Sequence, residues 1–134
     1  MISYSYLWSR EAEQGAQEGL KNRPCAIVIA RQNIEDHPLV TVVPITHSPP
    51  SETSVFIALP DAVKKHLGLD DEPSWIIVDE VNDFIWPGYD LRPVRGSNPA
   101  VYDYGVLPPR LFNQLRDKLL GVYADRKLTR TDRD

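Results

Sequence analysis

Polar side chains that interrupt strongly apolar, β-branched runs are the natural places to look for chemistry in this chain, and two stand out. Arg23 opens the run from Cys25 to Ala30, and Thr46-His47-Ser48 closes the run from Leu39 to Ile45. Both runs have the composition of buried strands, and residues 32–38 between them supply a turn, so an antiparallel hairpin is expected. The start of one strand then lies beside the end of the other, and Arg23 converges with Thr46. A guanidinium gives a forked, permanently charged contact and a hydroxyl adds one more hydrogen bond, a combination suited to a phosphate group. Plainer readings exist for the same residues: a surface salt bridge for Arg23 and an ordinary strand position for Thr46. Spacing alone does not choose between them.

Other chemistries find little support. His37, His47, His66 and the lone Cys25 have no metal-ligand spacing, so neither a metal nor any other cofactor is expected. No Gly-rich phosphate loop is present, and Ser48 and Ser51 belong to no credible Ser/His/Asp arrangement. Cys25 sits inside an apolar run, where burial is the expectation, and a single cysteine forms no internal disulfide.

These residues must be positioned by a small fold. A chain of 134 residues is expected to be one domain with one packed core. Twelve prolines against seven glycines imply short elements broken by rigid turns rather than a helical bundle. A net charge of -4 argues against coating nucleic acid by bulk attraction, so any such contact must be local. The start lacks the basic flank and continuous apolar stretch of a signal peptide, and every apolar run falls well short of the roughly 20 residues that span a bilayer. The expectation is a cytoplasmic protein without membrane contact.

Along the chain, residues 4–8 read as a short strand and residues 9–22 as a long polar loop, a candidate flap over a substrate. After the hairpin, Pro44 marks an edge or a bulge. Residues 48–54 form a Pro/Ser loop, residues 55–59 a strand, and residues 60–67 a two-turn helix closed by Gly68. Residues 75–81 form the next strand, Asn82-Asp83 a hairpin turn, and residues 84–86 the return. Residues 89–105 resist assignment and are expected to wrap the sheet. Pro108 and Pro109 introduce a helix whose Leu111, Leu115, Leu119 and Val122 form one apolar stripe, which is core. Residues 1–126 make the domain, and residues 127–134 alternate opposite charges as a solvated tail.

At Arg23-Pro24-Cys25-Ala26-Ile27-Val28-Ile29, followed by Val42-Val43-Pro44-Ile45-Thr46-His47-Ser48, the sequence resembles the paired signature of PemK/MazF-family toxins. A third block, Trp75-Ile76-Ile77-Val78-Asp79-Glu80-Val81, is similar to a later strand of that family ending in an aspartate. The match covers roughly residues 4 to 86, and the three blocks agree in order and spacing. The resemblance implies a mainly β fold: a small SH3-like antiparallel barrel with a short helix and a C-terminal helix, forming a homodimer. It further implies a metal-independent endoribonuclease acting on single-stranded RNA and restrained by a cognate antitoxin protein.

The family's catalytic arginine and threonine carry over to Arg23 and Thr46, and Asp79 matches an aspartate needed by some members. The chain departs from the family at Ile77, where some members carry an arginine, and no histidine lies in residues 9–22. RNA brings its own nucleophile, the 2′-hydroxyl. The site then needs a proton acceptor, with Asp79 or His47 as candidates, and donors to the phosphoryl oxygens, with Arg23 and Thr46 as candidates. Trp8 and Trp86 are candidates for stacking on bases, and Lys21 and Ser48 for further RNA contacts, although tryptophans in a small β domain are more often core residues. Two other readings keep the barrel: a protein-binding poison of the CcdB type that targets gyrase, or a silent regulatory module.

Overall fold

The structure, a computed structural model, describes residues 1–15, 19, 22–32, 38–86 and 90–133. It is mainly β. Among the described residues, seven strands, β1 (Ile2–Tyr4), β2 (Arg23–Gln32), β3 (Pro38–Thr46), β4 (Phe56–Ala58), β5 (Trp75–Ile77), β6 (Glu80–Ile85) and β7 (Thr129–Asp132), are accompanied by three helices, α1 (Ser9–Glu13), α2 (Asp61–His66) and α3 (Pro109–Ala124). The strands hydrogen-bond in the order β1-β2-β3-β5-β4, and β6 joins β3 to β7. Every pair is antiparallel except β6 with β7.

The hairpin expected from the two β-branched runs is the centre of this sheet. Cys25 pairs with Pro44, Ala26 with Val43 and Ile27 with Val42; beyond that point Ile29 pairs with Thr41, so Val28 is an extra residue, a β-bulge. The strand β3 changes partner along its length, pairing with β6 through Val42 and with β5 from Ile45. Pro44 sits between those two stretches, where a missing N–H interrupts no ladder bond to either partner.

Alternation along the hairpin splits the core in two. Ala26, Val43 and Ile45 face one cluster, which takes in Ile57, Ile76 and Val81 together with Leu111, Leu115, Leu119 and Val122 of α3. The apolar stripe of α3 is therefore core, as its spacing implied. Cys25, Val40 and Val42 face the other cluster with Ile2, Tyr4, Tyr6 and Phe84. Cys25 is fully buried, and burial pushes its thiol pKa far up, which leaves it an inert packing residue.

Three segments differ from the sequence reading. Asn82 and Asp83 do not turn the chain; they lie buried in the middle of β6. Their polar groups are satisfied at long range: Asn82 accepts from the Leu7 N–H at 3.0 Å and donates to the Leu7 carbonyl at 2.8 Å, while Asp83 accepts from the Thr41 hydroxyl at 2.5 Å and pairs with Arg130 at 2.8 Å. The charged stretch after residue 126 is not a solvated tail, because Thr129–Asp132 form β7 beside β6. The polar stretch after Trp8 holds the one-turn helix α1; of its remainder, residues 16–18, 20 and 21 lie outside the described residues.

Within the unassigned region, residues 90–105 cover the edge of β1. Ser5 N–H donates to the Asp90 carbonyl at 2.8 Å, Arg92 N–H to the Ser3 carbonyl at 2.9 Å, and Ser3 N–H to the Tyr102 carbonyl at 2.9 Å. Arg133, just past β7, reaches back under this cover. Its guanidinium pairs with Asp90 at 2.7 Å, donates to the Ser5 carbonyl at 2.7 Å and to Asn82 Oδ1 at 3.2 Å, and lies 5.5 Å from the Tyr4 ring centre.

Candidate active site

Continuing the register Cys25–Pro44 by two residues sets Arg23 opposite Thr46, and the side chains follow. Arg23 donates from Nη1 to the Ile45 carbonyl at 3.5 Å, and its guanidinium lies 5.1 Å from the centre of the Trp8 ring. Arg10 approaches the same ring at 5.0 Å, so Trp8 forms an aromatic shelf for two cations. Burial lowers the Arg23 pKa, although a guanidinium remains charged at any physiological pH. Arg23 Nε is buried and has no hydrogen-bond partner among the described residues.

Thr46 is 8% exposed and accepts the Ser48 N–H at 3.1 Å through Oγ1. With that lone pair engaged, its hydroxyl proton is available to donate elsewhere. Arg23 and Thr46 both line a cleft of about 660 Å³, together with Trp8, Ser48, Asp79 and Glu80. Asp79 is held by the Val55 N–H at 3.2 Å.

Glu80 was not singled out by the sequence, although it directly follows Asp79. Its carboxylate accepts from the Ser9 hydroxyl at 2.9 Å, the Tyr6 hydroxyl at 3.0 Å and the Ser9 N–H at 3.2 Å. Burial raises its pKa, and the Ser9 and Tyr6 hydrogen bonds oppose that rise without cancelling it. Burial also raises the Tyr6 phenol well above its ordinary value, so Tyr6 stays a donor to Glu80. Three further charged residues of the cleft escaped the sequence reading: Arg10 and Glu11 in α1, and Lys127 beside β7. Glu11 accepts the Trp8 N–H at 3.1 Å through Oε1 and leaves Oε2 buried without a partner among the described residues.

The sequence-derived set therefore divides. Arg23, Thr46, Ser48, Asp79 and Trp8 come together in the cleft. His47 does not, because alternation turns its side chain to the other side of β3. There its Nδ1 lies 3.0 Å from the Pro73 carbonyl and 3.1 Å from Ser74 Oγ, and its Nε2 lies 2.9 Å from Asp70 and 3.6 Å from Glu72. Trp86 packs against Phe84 at 6.2 Å, on the second core cluster and away from the cleft lining. Lys21 lies outside the described residues.

His47, Asp70 and Glu72 bring ligand atoms within 4.8 Å of one another, but all three are exposed, and His47 meets Asp70 in an exposed side-chain hydrogen bond. Among the described residues, no helix is long and apolar enough to cross a membrane. No protein-family model, curated protein or solved structure matches this chain.

Proposed function

We propose that this chain is a metal-independent endoribonuclease of single-stranded RNA, of the kind that serves as the toxin of a toxin-antitoxin pair. On this reading the sheet is an SH3-like barrel, the active species is a homodimer, and an antitoxin protein restrains it. One observation carries the proposal: Arg23 and Thr46, 23 positions apart in sequence, open onto one cleft whose carboxylates include Asp79 and Glu80. That combination matches what transesterification of RNA requires. The substrate 2′-oxygen forms a bond to phosphorus, the bond from phosphorus to the 5′-oxygen breaks, and the products are a 2′,3′-cyclic phosphate and a 5′-hydroxyl.

Each residue has a role set by its chemistry. Arg23 places a fixed positive charge on the phosphoryl oxygens, where negative charge grows in the transition state. Thr46, its oxygen engaged by the Ser48 N–H, donates its proton to one of them. The 2′-hydroxyl proton passes to a cleft carboxylate, and the departing 5′-oxygen takes up a proton from that carboxyl through solvent, so that it leaves as the 5′-hydroxyl and the carboxylate is restored. Asp79 and Glu80 both line the cleft, and the raised pKa of Glu80 brings it nearer to neutrality, where a general base works best. His47 faces away from this cleft, so the proton acceptor is sought among the acids.

The test is incubation of the purified protein with single-stranded RNA in excess chelator. The expected outcome is fragments ending in 2′,3′-cyclic phosphate, lost in both Arg23→Ala and Thr46→Ala. Intact RNA with the wild-type protein, or cleavage that survives both substitutions, overturns the proposal. Growth arrest on induction that persists in both variants would point instead to a protein target.

A further inference from the structure

Arg23 lines two cavities, not one. Besides the cleft already described, Arg23 lines a second cavity of about 490 Å³, whose lining also includes Asn22, His47, Asp70, Arg95 and Tyr104. We propose that this second cavity is a nucleotide subsite for the same RNA strand: the nucleotides that flank the scissile phosphate occupy the first cleft, and the strand passes Arg23 to place the next nucleotide in the second cavity. The inference rests on the nuclease reading of the first cleft.

Size, charge and shape support it. Both cavities fall in the range of about 300 to 1,000 Å³ typical of small-ligand sites, room for a nucleoside in each. Their charges differ. Around the first, Arg10, Arg23 and Lys127 are balanced by Glu11, Asp79 and Glu80. Around the second, Arg23 and Arg95 face Asp70 alone, and Asp70 is already engaged by His47 at 2.9 Å. The second cavity therefore keeps a cationic excess, which suits the phosphate that follows a bound nucleoside.

Tyr104 supplies a half-buried aromatic wall: its ring packs against the core, its hydroxyl is hydrogen-bonded with Ser3, and its backbone N–H donates to the Met1 carbonyl at 2.8 Å. An aromatic side chain held in this way accepts a base by stacking, the sequence-tolerant mode of single-strand recognition. His47 belongs to the same wall. Nδ1 at the Pro73 carbonyl and Nε2 at Asp70 set the orientation of its ring. Thr46 and His47, adjacent in sequence, thus line different cavities that share Arg23.

The test uses chimeric DNA oligonucleotides carrying a single ribonucleotide, so that each has one cleavable bond. One form ends at the nucleotides flanking that bond, and longer forms add one or two nucleotides at either end. Wild-type protein is expected to cut the longer form at one end with kcat/KM raised roughly tenfold over the minimal form. Tyr104→Ala and Arg95→Ala are each expected to erase most of that gain while leaving the minimal substrate unchanged. Arg95 is exposed, so its replacement leaves the core intact. The inference is overturned if lengthening the substrate brings no gain, or if both variants keep the full gain or slow both substrate lengths equally. Failure of wild-type protein to cut any form would instead bring down the nuclease reading, and the subsite with it.

Discussion

Two arginines of this molecule sit on aromatic rings, and their surroundings differ in a way that separates structure from function. Arg133 lies 5.5 Å from the Tyr4 ring, and its guanidinium is answered on every side by Asp90, the Ser5 carbonyl and Asn82. Arg23 lies 5.1 Å from the Trp8 ring with one long bond to the Ile45 carbonyl and a buried Nε left without a partner among the described residues. A buried charge that is fully paired holds a fold in one arrangement; one left partly unanswered at the mouth of a cleft is poised for an outside anion. The contrast teaches that what distinguishes the two is hydrogen-bond completeness, since burial and aromatic contact are common to both.

The comparison breaks most visibly at Arg133. Arg133→Ala removes a buried guanidinium from Asp90, the Ser5 carbonyl and Asn82 at once, and the expected loss of unfolding free energy is about 3–5 kcal/mol, measured by denaturant titration. Cleavage per folded molecule should be unchanged. Arg23→Ala is expected to do the reverse: kcat falls roughly 100- to 1,000-fold, while the denaturation midpoint barely moves. Arg23→Lys should recover little activity, because a point charge does not reproduce the fork. If both arginines prove equally important to stability and neither to turnover, the distinction fails.

A finer test concerns Glu80, whose pKa burial raises. A carboxyl with a raised folded-state pKa favours folding in acid, and that contribution fades as pH rises through the folded value. Glu80→Gln cannot ionise, so urea titrations from about pH 4 to about pH 7 should show the variant gaining on the wild type as pH increases. A constant difference across that window would contradict the burial argument. The smallest effect is expected at Trp8. Trp8→Leu removes the shelf beneath Arg10 and Arg23, and RNA affinity should weaken by about 0.5–2 kcal/mol, read from binding of uncleavable deoxy-substituted strands.

Much of this was legible in the sequence wherever local pattern coincides with tertiary position. The hairpin of β2 and β3, the buried stripe of α3 and the meeting of Arg23 with Thr46 follow from alternation, helical spacing and antiparallel pairing. What escaped depends on partners far along the chain. Asn82-Asp83 reads as a turn because polar pairs usually are; its place inside a buried strand depends on Leu7, Thr41 and Arg130. The stretch at residues 129–132 reads as a solvated tail because its pairing with β6 is invisible in its own composition. Glu80 looked like an ordinary strand residue until Ser9 and Tyr6 gathered around it.

The bulge at Val28 decides more than a local bend. In the stretch of β2 beyond it, paired positions sum to 70 (Ile29 with Thr41); on the side nearer Arg23 they sum to 69 (Cys25 with Pro44). Carried unbroken to the mouth of the hairpin, the first count would set Arg23 against His47 instead of Thr46. The pairing at the site is thus a matter of odd and even: the extra residue Val28 offsets the ladder by one, and a regular ladder that took Val28 into register would reverse which neighbour meets the guanidinium while leaving every side chain of the site present.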